Sequence, residues 1–154
     1  MSSGLKEAMG EWLGQLAPWD VFTTWTFSRP VRVEGAMYWA RRHLRWVERV
    51  AQQPVYGFVG AEDGGTGGLV HLHALLGNVA HLRPYCGVRL APGEWGRSCC
   101  LLHAWPCGIA RVLRYDPRLR AAWYVSKYVT KELAEWDLVG FPARSQMALD
   151  IRGH

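Results

Sequence analysis

Lysine is scarce in this 154-residue chain. Of its 18 basic residues only Lys6, Lys127 and Lys131 are lysines, leaving 15 arginines. Cysteine is scarce too, and its four copies, Cys86, Cys99, Cys100 and Cys107, fall in one stretch. Such clustering does not make a disulfide framework for a whole fold, so a reducing cytoplasm is the expected compartment. No apolar run approaches the ~18 residues of a membrane-spanning helix, which argues against an integral membrane protein. The opening Met-Ser-Ser-Gly-Leu-Lys-Glu is polar and turns acidic at once, unlike a secretory leader. Glycines crowd residues 64–68, but no Gly-Lys-Ser/Thr follows them and a strand comes next instead of a helix. That excludes a P-loop. No ATPase signature is visible, so no helicase is expected in this chain.

What is present describes a globular protein. Hydrophobic residues make up 49% and charged residues 20%, a balance that suits one domain with one core and not a disordered chain. The net charge is +5, carried by arginine, the residue of bidentate phosphate contact. Nine tryptophans and six tyrosines accompany it. A polyanion that also offers flat faces for stacking fits both features, and single-stranded nucleic acid is such a partner.

The chain reads as alternating helices and strands. Leu5, Met9, Trp12, Leu13 and Leu16 make a short amphipathic helix that Pro18 ends. Val21 to Phe27 is β-branched and aromatic throughout, a strand closed by Ser28-Arg29-Pro30. Met37, Ala40, Leu44, Val47 and Ala51 recur at helical spacing over 34–52, and Pro54 stops that helix. Residues 55–62 and 69–76 read as strands joined by a Gly-rich turn, hence a hairpin. A further strand is expected over 109–115 and a helix from Asp116-Pro117 to about Glu135. The class is α+β, a mainly antiparallel sheet flanked by helices in a single domain over 1–154. An irregular, cysteine-bearing insertion occupies 81–108.

Three constellations carry chemistry. His71-Leu72-His73 places two imidazoles on one face of a strand, at the spacing of metal ligands. The plainer alternative is a structural histidine pair. Glu62 ends the neighbouring strand of the hairpin, and its carboxylate would complete a two-His-one-acid set suited to Mg²⁺ or Mn²⁺. Asp63 is its rival, but it falls in the turn. Finally, Tyr124, Lys127, Tyr128 and Lys131 fall within roughly a 100° arc of one helix face, opposite Ala122, Val125, Val129 and Leu133. A phenol is a poor nucleophile unless positive charge stabilises its phenolate, and an adjacent lysine does that. Taken alone the stripe is an ordinary solvated face. Together the three describe metal-assisted attack of a tyrosine on a phosphate.

With these motifs the sequence resembles the HUH endonuclease superfamily, in particular the rolling-circle replication initiator (Rep) proteins of plasmids and phages. His71-Leu72-His73 is similar to its histidine–hydrophobic–histidine motif and Glu62 to its acidic third ligand. Tyr124 to Lys131 resembles its two-tyrosine, Tyr-x-x-Lys-Tyr motif. Phe22 to Phe27 is similar to its first strand. The resemblance covers about residues 20–135, with the motifs in the family's order. It implies a central antiparallel sheet with the histidine pair on a middle strand. It also implies that Mg²⁺ or Mn²⁺ on Glu62, His71 and His73 polarises the scissile phosphate of single-stranded DNA at a replication origin. Tyr124 or Tyr128 would attack, leaving a 3′-hydroxyl and a 5′-phosphotyrosine link that the reverse reaction rejoins, with Lys127 or Lys131 steadying the phosphate or phenolate. Host helicase and polymerase would be its partners, and the chain would be the nuclease part of a longer plasmid- or phage-encoded protein.

Some residues stand apart from that reading. Cys86, Cys99, Cys100, His103 and Cys107 have the ingredients of a small structural Zn²⁺ site, but no Cys-x-x-Cys pair is among them, and buried thiols are the simpler expectation. Arg41, Arg42, Arg45 and Arg49 line one helix face as candidates for backbone contact with DNA, against the plain reading of a solvated face. Two other functions fit the same sequence. One is an HUH single-strand DNA transposase. The other is a non-catalytic nucleic-acid-binding module in which the tyrosines stack on bases.

Overall fold

A computed structural model describes residues 3–64, 68–80, 102–119 and 135–141. Helix α1 spans Ser3–Leu16. Pro18 follows it, and the Trp19 indole N–H closes back on the Leu13 carbonyl at 2.7 Å. Strand β1 is Val21–Thr26 and helix α2 Val33–Ala51. The α2 helix ends at Gln52, whose left-handed conformation (φ 54°) lets its N–H reach the Glu48 carbonyl before Pro54. The Glu48 carboxylate then accepts the Val55 N–H at 2.8 Å, fixing the entry into the next strand. Strands β2 (Tyr56–Glu62), β3 (His71–Gly77) and β4 (Ala110–Arg114) follow, then a short 3₁₀ turn, Pro117–Leu119, and strand β5 (Trp136–Val139).

The five strands form one sheet in the order β4-β1-β3-β2-β5, with every neighbouring pair antiparallel. The architecture is therefore α+β, as the alternation of elements predicts. The histidine-bearing strand β3 lies at the centre. The expected β2–β3 hairpin is present, and its register sets Glu62 opposite His71 and Gly60 opposite His73. The edge strand β5 was not foreseen, and it pairs with β2 from Gly57 to Gly60. Of the helix expected after Asp116, the described part is the 3₁₀ turn, opened by the Asp116 carboxylate accepting the Arg118 N–H at 2.9 Å.

Side chains alternate across a strand, so the sheet has two faces with different contents. One carries Val21, Trp25, Val59, Ala61, Leu72, Ala74, Leu76, Ala110 and Val112, all buried with Met37, Ala40, Leu44 and Val47 of α2. Gly57 belongs to this face because a Cβ there would press on the Leu76 side chain, with Leu44 close behind. The other face changes character along the strands. Its first half is apolar, and Phe22, Phe58, Leu75 and Leu138 pack with Leu13 of α1. Further along the same strands, the same face turns polar.

Candidate metal centre and nucleic-acid face

That polar half is built by register. Across the sheet, Arg111 (β4), Thr24 (β1), His73 (β3), Gly60 (β2) and Trp136 (β5) form one row. The next row holds Thr26, His71 and Glu62. Directly opposed residues in an antiparallel pair share a face, with Cβ atoms about 5 Å apart. Both histidines and Glu62 therefore stand on the same side, away from α2.

His73 is the best-anchored of them, 7% exposed and held at both ring nitrogens. Nε2 lies 3.0 Å from Glu62 Oε2, and Nδ1 lies 3.2 Å from Thr24 Oγ1. The Phe22 ring stacks on the imidazole, 5.9 Å between centroids and nearly parallel. Burial lowers the His73 pKa to about 4, a drop that the Glu62 carboxylate only partly opposes. The ring is thus neutral at pH 7, the state a metal ligand needs. An ionised carboxylate can only accept, so Nε2–H donates to Glu62 and the Thr24 hydroxyl donates to Nδ1. His71 is half-buried and faces Glu62 across the hairpin. Asp63 lies beyond the strand and is exposed, which favours Glu62 as the acid.

The donor set fits a hard or borderline divalent cation, with one carboxylate and two imidazoles. The three side chains are not closed around a common point. Among the described residues no group of three His, Cys, Asp or Glu is clustered as a metal site. The Glu62–His73 hydrogen bond occupies the atoms that a cation would take.

Two flanking residues escaped the sequence reading. Thr24 sits in an aromatic, β-branched strand where nothing marks its hydroxyl. Arg111 is one arginine among 15, and only the β4–β1 pairing sets it beside Thr24. Its Nε is a buried donor without an acceptor among the described residues.

The remaining sequence candidates are distributed elsewhere. Tyr124, Lys127, Tyr128 and Lys131 lie outside the described residues, as do Cys86, Cys99 and Cys100. His103 is buried, and burial lowers its pKa. Cys107 is a free, half-buried thiol whose pKa burial raises, and its backbone carbonyl accepts from Ser28. The α2 arginines stand across the sheet from the histidine pair. Arg41 is committed to Asp137 of β5 at 2.7 Å. Arg42 donates to Tyr38 Oη at 3.2 Å and lies over the Trp39 ring. Arg45 and Arg49 are exposed. No described helix is long and apolar enough to cross a membrane. No family model, curated protein or solved structure matches the chain.

Proposed function

We propose that this chain nicks and rejoins single-stranded DNA as a metal-dependent HUH-type nuclease that initiates rolling-circle replication at an origin. The observation that carries the reading is the junction of Glu62 with the His71/His73 pair on one sheet face, with His73 neutral and bonded to Glu62 at 3.0 Å. Glu62, His71 and His73 would hold Mg²⁺ or Mn²⁺. When bound, the cation supplies charge that polarises the scissile phosphate. To free Nε2 as a ligand, His73 moves its proton to Nδ1, and the Thr24 hydroxyl turns from donor to acceptor. A threonine can serve both tautomers, and its bond to Nδ1–H then orients the ring.

The nucleophile in this proposal comes from the sequence motif. The phenol oxygen of Tyr124 or Tyr128 forms a bond to phosphorus as the bond to the 3′-oxygen breaks. The phenol gives up its proton to water, the leaving 3′-oxygen takes one from water to become a hydroxyl, and the 5′-phosphate stays on tyrosine. Lys127 or Lys131 stabilises the phenolate. Host polymerase would extend the exposed 3′-hydroxyl while host helicase opens the duplex, in the cytoplasm of a plasmid- or phage-bearing cell.

The test mixes protein, Mn²⁺ and single-stranded origin DNA and resolves the products on a denaturing gel. A covalent protein–DNA band that EDTA, His73→Ala and the Tyr124→Phe/Tyr128→Phe double variant each abolish is the expected result. Its absence from the unaltered protein ends the nuclease reading. A second reading, a non-catalytic nucleic-acid-binding module, draws on one observation. The hydrogen bonds of His73 to Glu62 and Thr24 satisfy both ring nitrogens without a cation. Under that reading DNA binding survives EDTA and no covalent band forms.

A further inference from the structure

We infer that Arg111 is a phosphate-contacting residue of this site, gripping the backbone of single-stranded DNA beside the Glu62–His73 pair; the inference takes its ligand from the function proposed above. Arg111 and His73 flank Thr24 on its two sides, since Thr24 pairs with both. Two strand spacings, about 10 Å, therefore separate their backbones on one face. An extended arginine side chain covers much of that span. The guanidinium is the only cation that β4 contributes to this face, because Arg114 pairs with Val21 and so points to the other.

The second observation is an unmet bond. Arg111 Nε is buried and has no acceptor among the described residues. Two other arginines are matched to acids, Arg41 to Asp137 at 2.7 Å and Arg118 to Asp116 at 2.9 Å. Among the described residues no acid stands beside Arg111 in its row, where the β1 neighbour is Thr24. Leaving a buried charged donor unpaired costs free energy, which favours an outward swing of the guanidinium onto a phosphate oxygen, with a charge-assisted hydrogen bond in the fork geometry that arginine presents. Trp136 closes the other end of the same row, 43% exposed, with Gly60 placing no side chain between it and His73. Its ring packs against Trp12 and Phe58, four strand spacings from Arg111, so the phosphate contact rests on Arg111 alone.

The test uses the full chain in EDTA with a mixed-sequence single-stranded DNA oligonucleotide, so that binding is read without chemistry. Affinity is measured against salt for the unaltered protein, Arg111→Gln, Arg111→Lys and the control Arg118→Gln. Arg111→Gln is expected to weaken binding about tenfold in low salt. It should also flatten the slope of log affinity against log salt by about 0.7, the share of one phosphate on a single strand. Arg111→Lys should keep the slope, and Arg118→Gln should change neither quantity. An unchanged slope in Arg111→Gln overturns the inference. So does an Arg111→Lys variant whose slope falls as far as the glutamine's, because retained charge should still displace a counterion. If the unaltered protein gives no Mn²⁺-dependent covalent adduct while the Arg111 slope change persists, nicking fails and the phosphate contact stands.

Discussion

Glu62 Oε2 lies 3.0 Å from His73 Nε2 although the two residues belong to different strands. Register alone sets Glu62 opposite His71, not His73. The carboxylate therefore reaches diagonally along the hairpin, to His73 and past the facing His71. That reach makes Glu62 and the partners of His73 the residues to perturb in testing the proposed metal site.

Thr24→Val should lower Mn²⁺ affinity by about 10- to 100-fold while leaving the fold intact. The hydroxyl is the partner of His73 Nδ1 at 3.2 Å, and loss of such an outer partner costs that much at histidine metal sites. Electron paramagnetic resonance of free Mn²⁺ measures it. An unaltered affinity would show that the threonine does not orient the ring.

Acid should destabilise the protein, and His43 should account for part of the loss. His43 is buried against Trp25, Trp46 and Trp105, and burial lowers its pKa from 6.5 to about 4. Above pH 6.5 it is neutral in both the folded and the unfolded chain and contributes no pH dependence. As pH falls from 6.5 towards 4 the unfolded chain takes up a proton that the folded one refuses, and stability drops by up to about 3 kcal/mol. His73 and His103 act in the same direction. Urea unfolding at pH 7 and pH 4.5 should show the loss, and His43→Phe should reduce the pH slope by one proton. An identical slope in that variant contradicts the assignment.

The Arg41–Asp137 pair ties α2 to the edge strand β5. Each side chain is about one-third exposed (35%), so the coupling should be modest, about 0.2–1 kcal/mol. A double-mutant cycle with Arg41→Ala and Asp137→Ala measures it, and raised salt should shrink it further.

Gly140→Ala should destabilise by more than about 1 kcal/mol. Gly140 has φ 78°, a left-handed conformation, and a Cβ there would run into the Val55 carbonyl. Because this turn ends β5, the variant should also loosen the strand that carries Trp136. Thermal unfolding and Trp fluorescence report the two effects, and a wild-type melting temperature would refute the first.

Much of the scaffold was legible because its signals are local. The spacing of Met37, Ala40, Leu44 and Val47 marked α2, and all four are buried. The glycines after Glu62 marked the hairpin, while its register comes from the strand pairing. Strand β5 was missed because Trp-Asp-Leu-Val is four residues long, without a run of alternation, and exists through its pairing with β2 some 80 residues earlier. Zinc ligation and the tyrosine motif were proposed from spacing, and of those residues only His103 and Cys107 fall within the described parts.

By itself the sequence determined which residues can share a face, because a strand repeats every two residues and a helix every 3.6. His71 with His73, the apolar stripe of α2 and the turn that sets Glu62 near them all follow from that short-range geometry. Only the tertiary structure decided which strands lie side by side. Pairing β1 with both β3 and β4 brings Thr24 to His73 across 49 residues and Arg111 to the same row. Such neighbours are chosen by burial of the sheet's apolar surfaces against α2 and α1, a collective term that no single segment encodes.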